Sequence, residues 1–191
     1  MVAQFLLFSC LVVLVTTQIQ EEPPAQERAT YKEKQVGRLV DTMDITQNIS
    51  KEIQRINDSL EIYTVVEKDL FGESAEGGVL TASYNRLKNL KKITTIFYGE
   101  TGKAVTEYYL DNEKVFFVDV REYTYDKPMY LDGSQIKSVR NSTYYFHDNR
   151  MIMWKNYGNN VMSPISEEFI QEEKLLLKDI DNILAELGDH K

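Results

Sequence analysis

The sequence predicts an α+β domain, an antiparallel β-meander of about 6–8 strands packed against an N-terminal helical segment and a C-terminal helix. Near both ends of the chain, apolar residues recur every three or four positions, as on one stripe of a helix. Between the two stripes the vocabulary changes to short runs of β-branched and aromatic residues, and some of these alternate apolar with polar. Turn clusters rich in Gly, Asp and Asn divide the runs, so the simplest topology pairs each strand with its neighbour in sequence.

The chain opens on an uncharged run, FLLFSCLVVLV, over residues 5–15. That length suits the core of a signal peptide and falls short of the roughly 20 apolar residues a spanning helix needs. Residues 1–20 are therefore expected to be a cleaved export signal, with a periplasmic or extracellular address. Residues 1–4 carry no Lys or Arg, and the alternative is an uncleaved anchor, the one case in which a membrane is a partner. Cys10 lies inside the run, with five apolar residues still to follow, whereas a lipid-modified cysteine ends its signal. If it leaves with the signal, the mature chain has no thiol, which excludes disulfides, thiolate metal sites and cysteine nucleophiles. Residues 21–30, beginning EEPPAQER, read as a flexible leader, and residues 31–191 as one domain.

Val36, Leu39, Val40 and Met43, then Ile49, Ile53, Ile56 and Leu60, form apolar stripes of one long helix or two consecutive ones. Strands are expected over 62–66, 79–84, 93–98, 104–110, 115–125, 143–147 and 151–155, with loops at 71–78 and 127–138. In the final helix Ser163 suits the N-cap, Pro164 the first turn, and Glu167 and Glu168 the positive end of the helix dipole. Leu176, Ile180, Ile183 and Leu187 supply its stripe, and Gly188 its end.

Two segments share a form: EYYLDNEKVFFV over 107–118 and TYYFHDNRMIMW over 143–154. Each has an aromatic pair, an Asp/Asn turn, a basic residue and an apolar strand. Together with YGETGKAVTEYYLDNEKVFFV, these residues resemble uncharacterised exported proteins of Bacteroidetes-type bacteria and, more distantly, the tyrosine-rich hairpins of MORN-type repeats. The resemblance covers about residues 93–155 and implies an envelope or periplasmic address and a non-catalytic role.

A net charge of −8 and the lack of a clustered basic face exclude nucleic acid as a natural partner. The basic stretch Arg86, Lys88, Lys91 and Lys92 reads as a solvated turn, with an anion or headgroup site as the alternative. There are two histidines, His147 and His190, and the former reads as structural. No zinc spacing, calcium loop, phosphate loop or Gly-x-Ser-x-Gly elbow occurs, so no cofactor or metal is expected. Carboxylates are the remaining route to catalysis: Glu107, Asp119, Glu122 and Asp126 lie in or beside adjacent strands, where a pair can meet across the sheet. The tyrosines at 108, 109, 123, 125, 144 and 145 alternate between sheet faces. Tyr109, Tyr123 and Tyr145 are the candidate ligand-binding residues if their face is open, and cross-strand packing is the plainer role. Asn48, Asn57 and Asn141 head Asn-x-Ser/Thr sequons, which matter only in a glycosylating host. Three functions follow as expectations: an exported module binding a protein, peptide or glycan; a carboxylate hydrolase acting on polysaccharide; or a membrane-tethered structural component.

Overall fold

A computed structural model describes the backbone of residues 25–70 and 76–188, with side chains from residue 42 onward. The chain divides into two units between Gly37 and Arg38, and the sheet, the last helix and the first helix from Arg38 onward belong to the second. The predicted export signal lies outside the described residues.

The first helix, α1 (Ala25–Asp58), is one continuous helix. It begins inside the segment expected to be a flexible leader, because Ala25, Gln26, Glu27, Arg28 and Ala29 are all good helix formers. A short 3₁₀ turn at Leu60–Ile62 leads into the sheet. Seven strands follow: β1 (Thr64–Leu70), β2 (Gly78–Tyr84), β3 (Leu90–Gly99), β4 (Gly102–Asp111), β5 (Lys114–Tyr125), β6 (Ile136–His147) and β7 (Arg150–Lys155). The second helix, α2 (Glu167–Gly188), closes the chain. The strands lie in sequence order and every neighbouring pair is antiparallel, so the sheet is the predicted meander.

The two similar hairpins are alike in backbone as well as sequence. Asn112 and Glu113 join β4 to β5 with φ of 49° and 62°, and Asp148 and Asn149 join β6 to β7 with φ of 48° and 59°. Two successive positive φ values match the right-handed twist of the flanking strands. Just after each turn the register shifts by one residue, leaving Phe116 and Ile152 as equivalent bulges.

Several boundaries differ from expectation: the strand expected over 62–66 follows the 3₁₀ turn and spans Thr64–Leu70, that expected over 93–98 spans Leu90–Gly99, and two further shifts have a clear cause. Strand β6 begins at Ile136, because β5 runs on to Tyr125 and offers partners as far as Ile136. Ser166, rather than Ser163, caps α2: its hydroxyl accepts the Phe169 N–H at 3.2 Å, three residues into the helix, and Pro164 stays outside.

Helix α2 covers one face of the sheet. Phe169, Ile180 and Ile183 pack there with Leu80, Ile93, Tyr108, Val118, Phe146 and Trp154. The C-terminal half of α1 covers part of the other face, where Ile49 and Ile56 pack with Tyr109 and Phe117, flanked by Ile53 and Tyr145. The tyrosine-bearing strands are thus covered by α2 on one side and in part by α1 on the other.

Candidate functional site

The α1 side of the sheet carries the candidate site. Register places Lys92 opposite Tyr109, Tyr109 opposite Phe117, and Phe117 opposite Tyr145, in one row across four strands. The next row holds Thr94, Glu107, Asp119, Thr143 and Lys155 in mutual register. Because side chains alternate along a strand, both rows face α1. Beneath the helix they leave a cleft of about 380 Å³ lined by Ser50, Ile53, Asn57, Glu107, Tyr109, Phe117, Asp119 and Tyr145.

One wall of this cleft is aromatic. Tyr109 and Phe117 rings lie 5.7 Å apart, and Phe117 meets Tyr145 edge-on at 5.0 Å. The floor is ionic. Glu107 Oε1 lies 2.8 Å from Lys92 Nζ, and Glu107 Oε2 lies 2.5 Å from Arg121 Nη2. Arg121 Nε in turn lies 2.7 Å from Asp119 Oδ2, an ion pair off the hydrogen-bonding direction. The Glu107 and Asp119 side chains are only 18 % and 14 % exposed, so two formal charges of each sign share a largely dry floor. Burial raises the Asp119 pKa above the ordinary 3.8; Arg121 opposes that shift and Glu107 adds to it. From α1, Asn57 Oδ1 accepts the Tyr109 hydroxyl at 3.0 Å and a Lys92 ammonium proton at 3.3 Å, tying the helix to the floor.

Of the three candidate tyrosines, Tyr109 is 2 % exposed and belongs to the packing under α1, so it is not part of an open platform. Tyr145 is half-buried at the cleft wall, with Lys155 Nζ 5.9 Å from its ring centre. Tyr123 is half-buried further along β5, with Lys103 Nζ 5.0 Å over its ring. Tyr108 and Tyr144 turn to the other face, where their hydroxyls donate to Asp179 at 2.5 Å and Glu172 at 2.8 Å on α2. Burial, with the paired carboxylate adding to it, holds both phenols well above the usual tyrosine range.

Among the acidic candidates, only Glu107 and Asp119 come together. Glu122 projects from the opposite face, bound to Arg140 at 2.6 Å and to the Tyr157 hydroxyl at 2.9 Å. Asp126 holds the following loop by accepting the Gln135 N–H at 2.9 Å. The basic stretch is not a free anion site, since Lys91 pairs with Asp111 and Lys92 with Glu107, and both are buried. His147 is exposed at the end of β6, 3.5 Å from Asp148, and His190 lies outside the described residues. Asn48 and Asn141 are exposed, and Asn57 has the role just described.

Lys92, expected in a solvated basic turn, Asn57, expected only as a sequon, and Arg121, not singled out by sequence, neutralise and brace the acidic pair. The signal for Arg121 was present: it stands two residues from Asp119 in a strand, hence on the same face. Among the described residues, no group of His, Cys, Asp and Glu could hold a metal ion, and no helix is long and apolar enough to cross a membrane. Compared with family models, curated proteins and solved structures, the chain matches none.

Proposed function

We propose that this is an exported, non-catalytic binding module whose ligand seats in the cleft between α1 and the sheet. One observation carries the reading: an aromatic wall stands over a floor whose two acids are already engaged by Lys92 and Arg121. Such a surface offers stacking and hydrogen bonds to a small ligand or a protruding chain, and a cleft of this volume falls at the lower end of ligand-site sizes. Export rests on the apolar run over residues 5–15 and on the resemblance of residues 93–155 to exported proteins. The partner is a protein, peptide or glycan.

A thermal-shift screen of peptides and oligosaccharides tests this. The expected result is a ligand that raises the melting temperature of the parent and does not raise that of Tyr145→Ala above the variant's own ligand-free value. Stabilisation that persists in Tyr145→Ala and in Asp119→Asn would place the binding elsewhere. Mass spectrometry of the mature N-terminus tests export separately, since an intact Met1 in secreted material contradicts cleavage.

A second reading has a specific observation in its favour. Glu107 and Asp119 stand opposite one another in the cleft, and burial raises the Asp119 carboxyl while Glu107 is held by two cations. Pairs of acids with unequal environments serve glycosidases as acid and base. Polysaccharide hydrolysis by the parent that disappears in Glu107→Gln would replace the binding reading with this one.

A further inference from the structure

The sheet ends unevenly beside the cleft. Strand β6 runs from Ile136 to His147 and pairs with β5 from Ile136 to Tyr145, but β7 accompanies it only from Thr143 to His147. After Lys155 the chain turns away, held by the Asn156 N–H donating to Asn160 O at 3.0 Å and by an antiparallel bridge between Lys155 and Val161. Among the described residues, no strand lies along the outer edge of residues 136–142, and residues 136–141 are all exposed. Alternate N–H and C=O groups along this step point outward without a ladder partner, which is the arrangement an added strand completes. Where β7 stops, Asn141, Thr143, Lys155, Asn156, Tyr157 and Asn159 line a hollow of about 240 Å³.

The side chains along the step indicate what fits. Residues 136–142 include Lys137 and Arg140 and no acid, on a chain of net charge −8. Arg140, opposite Glu122 and paired with it at 2.6 Å but still 62 % exposed, lies on the α2 side, whereas Val139, opposite Tyr123, is half-exposed on the α1 side. A second copy would bring its own Lys137 and Arg140 to this basic edge, so like-charge repulsion between the edges opposes self-pairing. A strand alternating apolar and acidic residues would set the former beside Val139 and Tyr123 and the latter beside Arg140.

We propose that the open edge of β6 over residues 136–142 captures an extended, acidic segment of another protein by strand addition, at a surface separate from the cleft. Hydrogen exchange of the full chain, read residue by residue by NMR, tests this with the synthetic peptide acetyl-VEVEVEV-amide and with acetyl-VKVKVKV-amide as the charge control. At saturation the glutamate peptide is expected to slow outward amides of 136–142 by about tenfold, with little effect from the lysine peptide. Ser138→Pro and Val139→Pro separate the edge from the fold. One of these adjacent N–H groups faces β5 and the other faces outward, so one proline lowers the melting temperature and the other preserves it while abolishing protection. Tyr145→Ala is expected to leave the protection unchanged, so failure of the cleft reading and failure of this one are distinguishable. No slowing with the glutamate peptide, or equal slowing by both peptides, overturns the proposal. So does protection that grows with protein concentration in the absence of peptide, which would make a second copy the occupant.

Discussion

Beneath α2 the sheet presents Leu80, Ile93, Val118 and Phe146, all nearly free of solvent. On its other face, from the same or adjoining strands, it presents Lys92, Glu107, Asp119 and Arg121. The first face is closed by apolar contact, with two tyrosine hydroxyls reaching through to acids on the helix. The second is closed by apolar contact at one end only, around Ile49, Ile56, Tyr109 and Phe117. Beyond that end lies charge balanced by charge, and a cleft. Apolar burial stabilises wherever shapes match, whereas a buried ion pair returns little more than its desolvation cost. The α2 face therefore carries the stability, and the α1 face is where the fold can leave room for a ligand.

The largest expected effect tests the first half of that contrast. Phe146→Ala removes a ring that is 1 % exposed beneath α2 and should cost about 3–5 kcal/mol in urea unfolding, with little dependence on pH. Arg121→Met should cost less, roughly 1–3 kcal/mol near neutral pH, because a guanidinium 32 % exposed is partly screened by water. Its loss should shrink on acidification, as Asp119, whose pKa burial raises, takes up its proton and no longer needs a counter-charge. An Arg121→Met penalty as large and as flat with pH as that of Phe146→Ala would erase the distinction between the faces.

Asp119→Asn gives the smallest effect, read as a change of slope. In the parent, burial raises the Asp119 pKa above 3.8, so the folded protein holds that proton more tightly than the unfolded chain. The resulting stability is fully present below 3.8 and is lost as pH rises through the folded value. Stability against pH should be flatter in Asp119→Asn over that window, measured by urea unfolding at stepped pH. Identical slopes would mean that the Asp119 pKa is no higher in the folded protein than in the unfolded chain.

The fold was legible because its two periodicities are clean. The α2 stripe and the alternation of β5 both follow from the spacing of apolar residues. The start of β6 was not, because residues 136–141 face water and have no apolar alternation to show. Nor was the true cap of α2, since Ser163 and Ser166 both precede its glutamates. The site turned on a subtler feature. Counted back from the Asn112–Glu113 turn, Glu107 would face Val118; the extra residue Phe116 moves it opposite Asp119. No residue type announces that bulge, so the acid pair could be named among several but not singled out.

The strictly sequential strand order also bears on how the chain acquires its shape. Every ladder in the sheet joins neighbours along the chain, so the meander can assemble hairpin by hairpin at little loop-closure cost. The α1 contacts differ: Ile49 and Ile56 wait for Tyr109 and Phe117, which a ribosome delivers only after three and four further strands respectively. During synthesis the partly covered face is thus the one left waiting, with its isoleucines exposed. Accelerating the β3–β4–β5 hairpins should shorten that interval, and slowing them should expose the nascent chain to aggregation.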